Sequence, residues 1–333
     1  MARATPQRIF ETLDAFQRTA AMKTAIELDV FTAISEGDDT ASKVAARRSV
    51  SERGIQTLCD YLTMLGFLEK NGDAYTLSSD AATFLDRRSP AYLGEPASEA
   101  RAGQTIVAAF STLTEAVRRG GTAVAGGGTL APEHPVWVAF ARAMAVPGMF
   151  LARVLADRLT ERTDRPIKIL DIAGGHGFYG IEFAKRNARA EVFAVEWPQV
   201  LSVGRSNAER SGVSDRFHPI PGDALTVDFG AGYDLALITN FLPDLGSTEG
   251  LLKRIYTALA KGGRVALFEL MLNDDRVSPP GAVALNLTLL ATTTSGETRT
   301  SAQLREALVH AGFQRIEFHE ASPAPGRIAV GYR

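Results

Sequence analysis

The sequence predicts an α/β protein. Its carboxyl-terminal half builds a doubly wound sheet ending in an antiparallel strand pair, and an α-rich amino-terminal domain precedes it. Three observations lead there. From about residue 164 onward, apolar strand-like runs alternate with helical stretches, the rhythm of a parallel sheet covered on both faces. The last two runs, "QRIEFHEAS" and "RIAVGYR", are joined only by a Pro-Ala-Pro-Gly turn, too short for a parallel crossover, so they pair antiparallel. The opening segment reads helix, helix, helix, hairpin, a winged-helix pattern.

The elements follow in order. "MARATPQRIFETLDAF" has the spaced apolar residues of a helix, and Met22–Ile34 is a second. "TASKVAARR" is short and helical with Thr40 as N-cap, and "SERGIQTLCDYLTMLGFLEK" begins with a Ser51 cap and puts Ile55, Leu58, Leu62 and Leu65 on one face. Asn71-Gly72-Asp73 marks a hairpin turn. Residues 1–95 are therefore one domain. Residues 96–163 form a helical, Ala-rich linker segment contributing to a substrate cleft. It is interrupted by "RRGGTAVAGGGTLAPEHP", whose glycines and prolines mark a mobile loop, and it ends in a long apolar helix bent near Pro147. Residues 164–333 carry the sheet. Its strands are "IKILDIA", "AEVFAVEW", "FHPIPGDA", "YDLALITNFL" and "RVALFELM", and a helix through "TEGLLKRIYTALAKGG" leads into the last of these.

Composition removes several function classes. The chain has 333 residues, 45% hydrophobic and 22% charged, which suits two globular domains rather than a disordered chain. A net charge of −2 gives no electrostatic reason for nucleic acid or an anionic membrane as partner. Cys59 is the only cysteine, so no internal disulfide can form, and without Cys/His pairs at zinc spacing no metal site is expected. No charged start with an apolar block opens the chain, and no run approaches the roughly 18 apolar residues of a membrane span. A cytoplasmic location is expected.

The chemistry centres on "KILDIAGGHGFYG". Gly175-His176-Gly177-Phe178-Tyr179-Gly180 spells GxGxxG, and Glu196 follows Gly175 by about 20 residues, as a dinucleotide fingerprint requires. The glycines let backbone approach a ligand where unpaired N–H groups open a helix. Asp171, at the end of the strand feeding this loop, separates two readings. It would repel a pyrophosphate by several kcal/mol at an effective dielectric of about 20. It would attract a sulfonium and an ammonium. Glu196 suits either ligand, because a ribose diol wants a carboxylate acceptor in both.

"LDIAGGHG" resembles the first motif of class I S-adenosylmethionine-dependent methyltransferases, Asp-x-Gly-x-Gly-x-Gly, with Ala173 replacing the first glycine. "VEWP" resembles that family's second strand end, "PGDA" its adenine-reading Gly-Asp, and "ALAKGGRVALFEL" its approach to the fifth strand. With a winged helix ahead, the likeness narrows to dimeric small-molecule O-methyltransferases of the caffeate and hydroxyindole type, over nearly the whole chain. The resemblance implies a Rossmann-like catalytic domain, a homodimer formed by the amino-terminal domain, S-adenosylmethionine as cofactor and S-adenosylhomocysteine as product. It implies cofactor contacts by Asp171, Ala173, Gly175 and Gly177, by Glu196 at the ribose, by Gly222, Asp223 and Ala224 at adenine, by Trp197 over or beneath adenine, and by Asn240 between cofactor and acceptor. In a DNA-reading alternative the recognition helix would face phosphates. Here it offers Arg53 and otherwise mostly apolar or acidic residues.

The family's catalytic His position is occupied by Pro243, which carries no proton. Asp244 matches the next position, and Glu269 matches an acid that supports the His. These two are the candidate bases. In "GETRT", Arg299 and Thr300 are in register with the family's Gly-x-Glu-Arg-Thr loop, Thr298 stands where the second supporting acid is expected, and Glu297 lies one place early. Two outcomes stay open: methyl transfer without His, or a relative that binds the cofactor and no longer methylates. His176 either approaches the ligand or satisfies its own loop, and His134 either reaches the acceptor or is a solvated loop residue. Met144, Met149, Phe150, Phe241, Met271 and Leu285 are apolar positions that either pack in the core or together seat a hydrophobic, aromatic acceptor, and Asn286 either orients it or is a helix-surface amide.

Overall fold

A computed structural model of the protein describes residues 4–130, 134, 136–159 and 165–333. The 163/164 boundary and part of the glycine- and proline-rich segment, residues 131–133 and 135, lie outside them. The chain divides into two compact units, Met1–Gly103 and Gln104–Arg333.

The first unit carries helices Gln7–Leu13, Phe16–Glu27, Val30–Ser35, Ala41–Arg48 and Glu52–Met64, then the strands β1 (Leu68–Asn71) and β2 (Ala74–Leu77), then Ser79–Phe84 and Gly94–Ala102. Thr40 Oγ1 accepts from Lys43 N and Ser51 Oγ from Gly54 N, so both caps close the helices that their sequence positions predict. β1 and β2 pair antiparallel around Gly72-Asp73. The expected single helix Met22–Ile34 is two. The chain breaks at Asp29, whose φ of 51° is left-handed, a conformation that Asp tolerates better than most residues. Arg48 and Arg87 hold its carboxylate there.

The second unit holds a seven-stranded sheet: β3 (Ile167–Ile172), β4 (Ala190–Glu196), β5 (Phe217–Pro221), β6 (Tyr233–Thr239), β7 (Leu259–Glu269), β8 (Ile316–Glu320) and β9 (Arg327–Tyr332). Their order is β5-β4-β3-β6-β7-β9-β8. The first five strands are parallel, while β9 runs antiparallel to both β7 and β8. Strands such as "IKILDI" and "YDLALIT" are buried on both faces, which explains why they read as continuous apolar runs. One apolar cluster lies on each face of the sheet. The order reverses direction at β3, so the crevice outside the carboxyl ends of β3 and β6 is the topological switch point where such sheets bind ligands.

Two boundaries differ from expectation. The helix after β6 stops at Ala258, and β7 already begins at Leu259. A register irregularity follows, and Gly263 passes so close to Tyr233 O that a Cβ there would lie 2.8 Å from it. The long apolar helix is two helices, Val136–Ala143 and Ala145–Leu159, bent by 59°. The break precedes Pro147 because a proline ring clashes with the carbonyl four residues earlier, here Ala143. Among the described residues no single helix is long and apolar enough to cross a membrane. The segment expected to be a mobile loop has a short 3-10 helix, Ala125–Leu130, and Thr122 N donates to Thr293 O at 2.7 Å.

Candidate active site

Each of the five parallel strands β3 to β7 carries a candidate residue at or just after its carboxyl end. Asp171 is the next-to-last residue of β3 and is fully buried. Its Oδ2 accepts from Gly180 N at 3.0 Å, the third N–H of helix Phe178–Arg186. The carboxylate therefore caps a helix whose N-cap, Gly177, has no side chain. Its Oδ1 has no hydrogen-bond partner among the described residues. Burial, reinforced by the nearby Glu196 charge, pushes its pKa up to about 7 despite the Gly180 hydrogen bond. Asp171 thus sits beneath the loop and shapes both its backbone and its potential.

Several N–H groups of the loop are bonded within the protein. Gly175 N donates to Glu196 Oε2 at 3.1 Å, and Trp197 N donates to Glu196 Oε1 at 2.8 Å. Phe178 N donates to His176 Nδ1 at 3.1 Å. The N–H groups of residues 175, 178 and 180, which a dinucleotide loop would turn toward phosphate, are thus bonded to side chains of the protein. Gly175 and Gly177 have φ of 54° and 74°, and Ala173 shares that left-handed region at 52°. The backbone keeps the glycine motif's shape where the side chain departs from it.

His176 belongs to the loop's own structure. Its ring is 3% exposed, and burial pushes its pKa down to about 4. Its Nε2 edge abuts Gly148 of helix Ala145–Leu159, where a Cβ would lie 2.0 Å from Nε2. The helix bearing Met149 therefore rests on the cofactor loop, and Ala141 approaches Gly175 from the preceding helix. Met144 lies at the bend between them.

The second and third contact regions adjoin the first. Gly222 N donates to Glu196 O at 3.1 Å, which joins the "PGDA" turn to the end of β4. Asp223 Oδ1 accepts from Leu225 N, and Ala224 is buried. Arg254 holds this turn by donating to Ala224 O and Val227 O while stacking 4.3 Å from the Phe229 ring centroid. Trp197 is partly buried and N-caps helix Pro198–Arg210. Asn240, directly after β6, is left-handed at φ 51°, and its N donates to Phe268 O at 2.9 Å.

The motifs passed over Tyr179, whose phenol is buried and kept protonated by burial near Thr239, Asp171, Glu269 and Asn240. Thr239 Oγ1 itself is buried without a hydrogen-bond partner of ordinary geometry. Tyr179 sits in the glycine motif at a place where any helix-forming residue would do, so only three-dimensional proximity reveals it.

Asp244 and Glu269 meet at the ends of β6 and β7, in different states. Glu269 is 3% exposed, and its Oε1 accepts from Leu242 N at 3.3 Å. Its Oε2 is buried without a hydrogen-bond partner among the described residues. Burial raises its pKa well above the usual carboxylate range, with the Leu242 hydrogen bond opposing and the Asp244 charge reinforcing the shift. Asp244 is only partly buried, its carboxylate makes no hydrogen bond among the described residues, and desolvation pushes its pKa up to about 7.

Of the acceptor candidates, Met271 is buried with Leu242 in one apolar cluster, and Phe241 packs against that cluster. Leu285 and Asn286 are partly buried on helix Pro280–Thr292. Asn286 Oδ1 accepts from Thr298 N at 2.9 Å, so its amide is half committed to the 293–300 loop. Phe150 is 49% exposed. His134 Nδ1 accepts from Val136 N at the start of its helix.

Comparison with known proteins bears on this geometry. Residues 10–87 match the model of the O-methyltransferase dimerisation domain, and residues 146–314 match the O-methyltransferase domain. A crystal structure from Nostoc punctiforme described as an O-methyltransferase superposes with a TM-score of 0.94 at 42% identity, covering 100% of both chains. The tetracenomycin polyketide synthesis 8-O-methyl transferase of Streptomyces glaucescens is 28% identical over 98% of this chain and 96% of its own. Mouse acetylserotonin O-methyltransferase is 27% identical over 95% of this chain and 86% of its own.

The packing of His176 on Gly148 gives a direct check. Gly→Ala inside a helix ordinarily stabilises by about 0.5–1 kcal/mol. Gly148→Ala should instead destabilise by about 1–3 kcal/mol through overpacking and weaken S-adenosylhomocysteine binding as the loop shifts. Urea unfolding and calorimetry read both, and a stabilised variant with unchanged binding would refute the contact.

Proposed function

This chain belongs to the O-methyltransferase family that carries an amino-terminal dimerisation domain, and from that premise we propose that it methylates a hydroxyl of a small, hydrophobic, aromatic molecule with S-adenosylmethionine as donor. The observation that carries this reading is the pairing of an acid-backed, partly self-bonded glycine loop with a half-buried Asp244 one strand away, whose carboxylate makes no hydrogen bond among the described residues. Three N–H groups of the loop are already occupied, and two carboxylates, Asp171 and Glu196, lie behind it. That arrangement suits a cation and a ribose and disfavours a diphosphate. The orphaned Asp171 Oδ1 fits the same ligand.

In this reading Asp171, Ala173, Gly175 and Gly177 hold the methionine end, Glu196 the ribose, and Trp197, Gly222, Asp223 and Ala224 the adenine. Asn240 stands between donor and acceptor. Bound there, S-adenosylmethionine supplies a methyl carbon whose bond to sulfur breaks, leaving the electron pair on sulfur, as the bond to the acceptor oxygen forms. Met144, Met149, Phe150, Phe241, Met271 and Leu285 seat the acceptor's apolar body, with Asn286 offering its remaining amide protons. Asp244 takes the hydroxyl proton. It has free lone pairs and a pKa near the working pH, the condition under which a general base is most effective. Glu269, tied to Leu242 N, supports the turn that presents Asp244.

Pro243 removes the usual His without removing catalysis. Holding a nucleophile in line is worth about 7–11 kcal/mol, and base assistance about 10²–10⁴-fold. The relatives act on a polyketide and on acetylserotonin by their names, which supports an aromatic acceptor. Residues 96–163 contribute the bent helices of the acceptor side, the amino-terminal domain forms a homodimer, and the enzyme works in the cytoplasm.

Two measurements test this. With a panel of hydroxynaphthoates and hydroxyindoles, formation of S-adenosylhomocysteine should follow enzyme concentration. Cofactor binding with no such product from any acceptor would favour a relative that has lost methylation. The ionised carboxylate is the active form, so kcat/KM should rise with pH through about 7 and level off above it. Asp244→Asn should lower kcat by about 10²–10⁴-fold and flatten that limb, whereas full activity with the limb intact would remove Asp244 as base. Separately, Glu196→Ala should weaken S-adenosylhomocysteine binding by about 1.5–3 kcal/mol, as for a hydrogen bond to a charged group. Calorimetry showing equal affinity would take Glu196 out of the site.

A further inference from the structure

Asp244's carboxylate has no hydrogen bond of its own among the described residues, so its position depends on the backbone that carries it. That backbone, the turn 241–246, is gripped chiefly by one side chain. Arg299 Nη1 donates to Leu242 O at 2.9 Å, and Nη2 donates to Leu245 O at 2.8 Å and to Gly246 O at 3.2 Å. The guanidinium thus spans the turn, with one nitrogen on the carbonyl before Pro243 and the other on the two carbonyls after Asp244. We propose that Arg299 is a positioning residue for the methyl transfer, fixing Asp244 through the backbone of this turn without touching acceptor or donor. The inference rests on the reading of Asp244 as the base.

The surroundings show a clamp rather than an incidental contact. Arg299 is 11% exposed at its side chain, and its only described ion pair, with Glu297, is 3.9 Å long. A cation is therefore buried mainly against peptide carbonyls, at a desolvation cost that burial expresses by lowering its pKa. The 295–299 segment reinforces the grip. Glu297 N donates to Pro243 O at 2.8 Å. Backbone meets backbone at Gly296, where a Cβ would fall 2.8 Å from Pro243 O and 3.3 Å from Asp244 O. From the other side Glu269 Oε1 takes Leu242 N. The clamp is itself anchored, since Arg299 O accepts from Leu272 N at 3.0 Å and Asn286 Oδ1 accepts from Thr298 N at 2.9 Å. Asn286 neighbours Leu285 on the proposed acceptor wall, so that wall and the base are joined through Thr298 and Arg299.

A lysine keeps the charge but has no planar fork to span three carbonyls. The test is a cycle of Arg299→Lys and Arg299→Met, each made alone and with Asp244→Asn. It is assayed with the hydroxyarene turned over fastest and accompanied by thermal melting and S-adenosylhomocysteine calorimetry. Arg299→Met should lower kcat by about 10²-fold, the effect of a displacement on the order of 1 Å at a reacting group, with Arg299→Lys between it and wild type. It should also weaken the rise of kcat/KM with pH, while affinity for S-adenosylhomocysteine stays within about twofold. In the Asp244→Asn background either substitution should change kcat by less than about twofold, because the group being positioned is gone. The same loss in both backgrounds, or wild-type kcat in the single variants, overturns the proposal while leaving Asp244 as base. If Asp244→Asn alone keeps full activity, the base assignment fails, and this inference falls with it. Should Arg299→Met not fold, the Arg299→Lys pair decides by the same comparison.

Discussion

A carboxylate without water governs this molecule. Asp171 lies at the end of the central strand β3 with no exposed surface, directly under the glycine loop. A Cβ on Gly174 would fall 2.6 Å from its Oδ1. One oxygen fixes the start of the following helix, and the other is left for the field of whatever lies above the loop. From that placement follow the turn at residues 173–177, the reach of Gly175 to Glu196, and the seating of His176 against Gly148. The acid is also adjustable. With a pKa near 7, it is only part-ionised at neutral pH, and a nearby cation would favour its charged form. Its preference for a cationic ligand is therefore drawn out by the ligand as much as held in readiness.

The acceptor side follows a different logic. Three buried or half-buried ionisable side chains, Asp244, Glu269 and Arg299, converge on one turn, and they differ in where their hydrogen bonds go. Glu269 and Arg299 spend theirs on backbone, leaving Asp244 with none among the described residues. Pro243 stiffens the turn, and desolvation raises the proton affinity of the neighbouring Asp244 toward neutral pH. In the proposed mechanism, half-burial would give a carboxylate the proton affinity that a His has with no perturbation at all.

Much of this was legible in the residues. The strands showed as apolar runs because the parallel sheet is covered on both faces, and the closing antiparallel pair followed from a turn too short to cross over. Thr40 and Ser51 announced their helices through their hydroxyls. Other features are tertiary and leave little local trace. Asp29 turns left-handed where two arginines hold its carboxylate, whereas the bend near Pro147 was legible and only its place, at the carbonyl the ring displaces, was not. Tyr179, Arg254 and the Arg299 fork act on residues distant in sequence, and no periodicity points to such partners. A full negative charge on Asp171 was the natural reading of the sequence. Its attenuation by burial needed the fold.

The most direct test of the account compares S-adenosylmethionine with S-adenosylhomocysteine, which differ by a methyl group and the positive charge it creates on sulfur. Calorimetry at pH 8 would measure the ratio of the two affinities in the wild type and in Asp171→Asn. If the buried acid selects the cation, the variant should lose about fivefold of the preference for S-adenosylmethionine, an interaction on the order of 1 kcal/mol at a protein-like dielectric. An unchanged ratio, with both ligands still bound, would contradict it.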